Sequence, residues 1–176
     1  MITIRLATAS DGPALREIEL QAGEQFRTVG YAFVADHPPF GLDVLAAYAE
    51  AGRSFVAVDD HGDPVGYLLV EVLDGNAHIE QVSVLPQRQG EGIGRALIDR
   101  AGTWARAAGL PATTLTTFRD VAWNAPLYAH LGFVPLDDGD VGPELRARVE
   151  VESAEGLDPA TRVCMRRDES RGGPAS

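Results

Sequence analysis

The sequence predicts an α+β fold built on a mixed sheet, and three observations carry that prediction. Short β-branched, apolar runs recur along the chain as strand-length segments. Two of the intervals between them, Asp59-Asp60-His61-Gly62-Asp63-Pro64 and Asp74-Gly75-Asn76, are dense in turn formers, so three consecutive strands should form an antiparallel meander. Ile93, Leu97, Ala101, Trp104 and Ala108 then mark one face of a long helix that stands before the β-branched run Thr113–Phe118. A strand–helix–strand crossover of that kind joins parallel neighbours, which makes the sheet mixed.

The elements follow in order. Ile2–Ala7 alternates apolar and polar residues and reads as an edge or half-buried strand. Ser10 and Asp11 offer N-cap oxygens, Pro13 suits a first helical turn, and Leu15, Ile18 and Ala22 extend a helix to about Phe26. Arg27–Phe40 carries no clear period and reads as a loop leading to a short helix, Leu42–Ala51. The meander strands are Ser54–Val58, Val65–Leu73 and Ala77–Val84, closed by Pro86. The long helix stops at Gly109 and Pro111. A short helix, Asn124–Leu131, is stopped by Gly132 and followed by Phe133-Val134, a further helix spans Pro143–Gly156, and Arg162–Met165 is a final strand. Residues 1–168 are expected to form a single domain, with 169–176 a disordered Gly/Pro/Ser tail.

Composition narrows the function classes. With 176 residues, 45% apolar and 23% charged, the chain suits one soluble core. The net charge of −11 repels phosphate backbones, which argues against nucleic acid or an anionic membrane as partner and favours cationic ligands. Cys164 is the only cysteine, so an intramolecular disulfide and a multi-cysteine zinc site are excluded, and no metal is expected. The N-terminus shows no signal-peptide pattern and no apolar run is long enough to span a bilayer, so a cytoplasmic location is expected.

The informative segment runs from Val82 to Leu97. Gly90, Gly92 and Gly94 alternate between a strand and a helix. Glycine lets the backbone approach a ligand closely, and the amides of a helix start bind anions. Neither G-x-G-x-x-G nor the Walker A pattern fits, and a bare turn rarely needs three glycines.

Gln89-Gly90-Glu91-Gly92-Ile93-Gly94 resembles the acetyl-CoA motif of the GCN5-related N-acetyltransferases, Gln/Arg-x-x-Gly-x-Gly/Ala. Asn124…Tyr128-Ala129-His130-Leu131-Gly132-Phe133 is similar to a second element of that family, with a closer Asn-to-Tyr spacing than is usual there. The resemblance spans Ile2 to Arg166 and implies a mostly antiparallel mixed sheet of about 6–7 strands, splayed around the acetyl-CoA site and flanked by about 4–5 helices. It implies that the amides of Gln89, Gly90, Glu91, Gly92, Ile93 and Gly94 hold the CoA pyrophosphate, and that Val82, Ser83 and Val84 pair through their backbone with the pantetheine arm. Arg88 and Arg95 either add charge near the phosphates or are solvated. Asn124 bonds the arm. Tyr128 protonates the departing thiolate or, alternatively, is an aromatic packed beside Leu127 and Leu131.

Acetyl transfer needs a neutral amine, yet an alkyl ammonium has a pKa near ~10, so a base must remove a proton. His78 and Glu80 share a strand face if the pairing is regular, and match positions where family members carry a base. Glu80 is the first choice and His78 the alternate; each also reads as a solvated strand residue. By resemblance Phe26, Arg27, Tyr31, Phe33 and Phe40 lie in the segment lining the acceptor pocket, and Asp120 and Trp123 border it. The implied activity is direct acetyl transfer from acetyl-CoA to a primary amine, a small cationic metabolite being favoured. A protein N-terminal or lysine acetyltransferase and a non-catalytic acyl-CoA-binding module are the alternatives, and a homodimer is compatible with all three.

Overall fold

The computed structural model describes residues 1–169. Seven strands form one mixed sheet in the order β1-β2-β3-β4-β5-β7-β6. They are β1 Thr3–Leu6, β2 Ser54–Val58, β3 Pro64–Leu73, β4 Asn76–Val84, β5 Ala112–Phe118, β6 Val134–Pro135 and β7 Arg162–Asp168. Six α-helices accompany them: α1 Gly12–Gly23, α2 Ala32–Asp36, α3 Leu42–Glu50, α4 Ile93–Ala107, α5 Ala125–His130 and α6 Pro143–Ala154. The mixed, mostly antiparallel sheet is the one the sequence predicts. The ladders β1–β2, β2–β3, β5–β7 and β6–β7 are antiparallel, and β4–β5 is parallel with Ala77 opposite Thr113 and His78 opposite Thr114.

The chain divides into two compact units, 1–70 with 80–100 and 71–79 with 101–169 of the described residues, so the division falls within β3, β4 and α4. In the first unit, Leu15 and Ile18 of α1, Leu45 of α3 and the strand residues Val56, Val58, Tyr67 and Leu69 form a core against which Phe40 and Tyr48 pack. The β2–β3 turn is held by Asp59, whose Oδ1 accepts the amides of His61 and Asp63. Gly66 sits in a tight space: a Cβ there would lie 3.1 Å from the Ser83 carbonyl and 3.2 Å from Ile93, so both would have to give way. Asp11 does not act through an N-cap side-chain bond to α1. Its carboxylate instead accepts the Thr8 amide at 2.7 Å and both Arg5 guanidinium nitrogens at 2.9 Å, because a charged donor bonds a carboxylate more strongly than a neutral amide does.

Two expected boundaries shift. The first helix ends as α at Gly23 and continues as a 3₁₀ turn, Glu24–Val29, closed by Gly30 at φ +86°. The expected loop Arg27–Phe40 contains α2. Arg27 bridges Glu24 and Asp36 there, closing the segment on itself in a way no apolar period announces.

In the second unit, Leu115, Phe118, Phe133, Leu145, Val163 and Met165 are buried. The β3–β4 turn places Asp74 and Gly75 at φ +50° and +71°, the primed-turn geometry that matches strand twist. Asp74 also caps α6: its carboxylate accepts the amides of Glu144 at 3.0 Å and Leu145 at 2.9 Å, while its own amide donates to the Glu144 carboxylate. A Cβ at Gly142 would overlap that carboxyl, so a side chain there would displace the cap. Glu169, the first residue of the expected tail, is 4% exposed and takes hydrogen bonds from Arg106, Arg167 and Thr113. The remainder of that expected tail, 170–176, lies outside the described residues.

Candidate active site

In the first unit β4 ends at Val84, and the chain turns through the 3₁₀ segment Pro86–Arg88 into α4. Gly90 and Gly92 adopt φ +84° and +78°, and a Cβ on either would meet nothing within 4 Å. Backbone conformation, not crowding, therefore requires these two glycines, and the side of the loop toward which a side chain would point is open. Gly94 differs. It is helical, and a Cβ there would make ordinary contact with Val84 at 3.8 Å. The first backbone bond of α4 runs from the Ala96 amide to the Gly92 carbonyl at 3.0 Å. The amides of Ile93, Gly94 and Arg95 thus precede the helical ladder, where donors face outward and the helix dipole is positive. An open loop of left-handed glycines leading into such a helix start fits a pyrophosphate.

The flanking cations are paired with acids. Arg88 donates to both Glu91 oxygens at 2.8 and 3.0 Å and lies 3.6 Å from Asp59. Arg95, 71% exposed, lies 3.7 Å from Asp99. Upstream, Ser83 is buried and accepts from Gln81 at 2.8 Å, whereas Glu80, Val82 and Val84 are half-buried. The aromatic segment that follows α1 sets Tyr31 and Phe33 edge to face at 6.0 Å, with Phe33 exposed and Phe26 half-buried.

In the second unit His78 is fully buried and hydrogen-bonded through Nδ1 to Thr114 Oγ1 at 3.0 Å. Burial, with a smaller effect of Arg148, pushes its pKa down to about 3. Asn124 caps α5 in sequence position, and its Oδ1 accepts the Thr117 hydroxyl at 2.7 Å and, more weakly, the Phe118 amide at 3.4 Å. Tyr128 packs its ring edge to face with Phe133 at 6.0 Å. The desolvated surroundings of its hydroxyl push its pKa up to about 12, although the residue as a whole is only half-buried. Thr114 and Thr117, which hold His78 and Asn124, escape a reading of the sequence because in a β-branched run they signal only a strand. Among the described residues no group of His, Cys, Asp and Glu is arranged to hold a metal, and no helix is long and apolar enough to cross a membrane.

A mixed sheet with a glycine loop feeding the helix after β4 is the architecture the sequence predicts, and the chain belongs to the acetyltransferase (GNAT) family, whose model matches residues 16–133. A mycothiol acetyltransferase of Beutenbergia cavernae is 30% identical over 149 residues, 72% of this chain and 50% of that protein. The streptothricin acetyltransferase of Streptomyces lavendulae is 31% identical over 125 residues, 70% of this chain and 64% of that protein. The chain therefore spans about half to under two thirds of the length of these two relatives. Among solved structures, the PaiA N-acetyltransferase of Thermoplasma acidophilum in complex with coenzyme A shares the fold with a TM-score of 0.73 at 14% identity, over 96% of this chain and 99% of that one.

Proposed function

We propose that this protein moves an acetyl group from acetyl-CoA to a primary amine by direct attack in a ternary complex, and that the acceptor is a small cationic metabolite. The observation that carries the reading is the pair of left-handed glycines, Gly90 and Gly92, opening the N-terminus of α4. Bound acetyl-CoA supplies a thioester as electrophile and a thiolate as leaving group. The amides of Gln89–Gly94 bind its pyrophosphate, and the backbone of Val82–Val84 orients its arm. With Oδ1 committed to Thr117, Asn124 offers its Nδ2–H to that arm.

Glu80 takes the ammonium proton, directly or through water, so that the neutral nitrogen attacks. His78 is the weaker choice, because its ring is fully buried with Nδ1 bonded to Thr114, whereas Glu80 is half-buried. Tyr128, whose hydroxyl stays protonated across the working range, donates to the thiolate as the C–S bond breaks. The surface charge of −11 supports a cationic acceptor.

The test is CoASH release on incubation with acetyl-CoA and a panel of amines, with products identified by mass. Release with small cationic amines supports the proposal. Acetylation of peptides alone would move the assignment to a protein acetyltransferase, and acetyl-CoA binding without release to any acceptor would make the chain a binding module.

A further inference from the structure

Glu19 of α1 is a partly exposed helix residue whose carboxylate reaches inward. Its Oε2 accepts the hydroxyl of Tyr67 at 2.8 Å and the backbone amide of Phe40 at 3.2 Å. Tyr67 is 0% exposed in the first unit's core, and the Phe40 side chain packs against the same core. One oxygen thus joins three elements: α1, the strand β3, and the end of the segment 26–40. Burial raises the carboxyl's pKa, while the two donors and the charges of His37 and Arg16 pull it down.

The segment itself is braced internally. Arg27 ties Glu24 to Asp36, Gly30 closes the 3₁₀ turn, and Tyr31 packs on Phe33. Its middle packs on the end of α1, where Ala35 is buried and its Cα would lie 3.7 Å from a Cβ on Gly23, and its two ends are fastened separately. At its start it continues from α1 without a break. At its finish the Glu19–Phe40 bond is a polar fastening that originates from the same helix.

We propose that Glu19 is a positioning residue for the acceptor: by holding the Phe40 amide it fixes the aromatic segment 26–40 in the orientation that receives the amine. This rests on the reading of that segment as the acceptor side. The competing role is simpler. Glu19 would only satisfy the buried Tyr67 hydroxyl, which must have a partner.

The two roles separate in four variants assayed with the small amine that the panel identifies. Glu19→Gln retains an oxygen able to accept both donors and should leave the amine KM within about 3-fold of wild type. Glu19→Ala should raise it at least about 10-fold, with kcat and the acetyl-CoA KM within about 3-fold, since both charge-assisted bonds, to Phe40 and to Tyr67, are lost. Tyr67→Phe alone, which spares the Phe40 bond, should stay near wild type. Because Glu19→Ala orphans the Tyr67 hydroxyl and risks unfolding, the decisive protein is the double variant Glu19→Ala/Tyr67→Phe. It lacks both the carboxylate and the hydroxyl that needs it. A persistent amine-KM defect in the double variant supports positioning; recovery to within about 3-fold of wild type overturns it. Amide hydrogen exchange over residues 26–40 reads the same question without turnover. At least about 10-fold faster exchange in the double variant supports the proposal, and unchanged exchange overturns it, even if wild type acetylates no amine and the functional reading itself has failed.

Discussion

Replacing Gly92 isolates the electrostatic part of cofactor binding from the conformational part. The residue sits at φ +78°, and an added Cβ meets nothing within 4 Å. Asn and Asp tolerate this left-handed region better than other residues, so the two substitutions should cost similar amounts, at most about 1–2 kcal/mol of stability. The two are nearly the same shape and differ by one negative charge. If the pyrophosphate lies at this loop, a carboxylate about 4 Å from it meets repulsion of about 4 kcal/mol at an effective dielectric near 20. Ligand at one hundred times its Kd stabilises a protein by about 2.7 kcal/mol, or about 5–10 °C in Tm for a chain of this size. The repulsion exceeds that gain. Thermal unfolding with and without acetyl-CoA should therefore show the full shift in wild type, a reduced shift in Gly92→Asn and none in Gly92→Asp. Raising the salt should return part of the Asp variant's shift by screening. Equal shifts in the Asn and Asp variants would refute the reasoning, because no phosphate could then lie near the loop.

Three further outcomes are expected. Tyr128→Phe should lower kcat about 10²–10⁴-fold with little change in acetyl-CoA affinity, measured by steady-state kinetics beside a binding titration; a loss of only a few-fold would make Tyr128 a packing partner of Phe133. Glu80→Gln should lose most turnover near neutral pH and recover as pH rises toward the amine's own pKa, whereas a pH-flat loss would remove it as base. Urea unfolding as a function of pH should separate two buried groups. His78, with its folded pKa depressed to about 3, is neutral in the native state, so its contribution is lost as pH falls from about 6.5 to about 3, and His78→Gln should flatten that window. Asp11, held down at about 2 chiefly by Arg5, contributes stability above about pH 4 that is lost as pH falls toward 2, and Asp11→Asn should flatten only the lower window.

Local pattern was enough to read the strands, because alternation, turn composition and helical spacing act between residues a few positions apart. The meander from Ser54 to Val84, the parallel placement of β5 after α4 and the glycine loop are all of this kind. The segment from Arg27 to Phe40 was not, since Arg27 bridges Glu24 to Asp36 of α2 and Glu19, outside the segment, fastens its end at Phe40. The same distinction runs through the candidate site. That Gly90 and Gly92 would take left-handed backbone follows from residue type and position, but that their outer side is open depends on what other elements leave vacant. His78 and Glu80 stand two residues apart on one strand, with Glu80 the first choice and His78 the alternate in sequence. Only tertiary packing shows that His78 is buried against Thr114 while Glu80 stays half-buried. Asp74 capping α6 from 70 residues away, Glu169 closing on Thr113 from 56 and Tyr67 finding Glu19 across 48 belong to the second class. A polar side chain's type states that it must have a partner when buried, while the identity of the partner is fixed by packing between segments far apart in the chain.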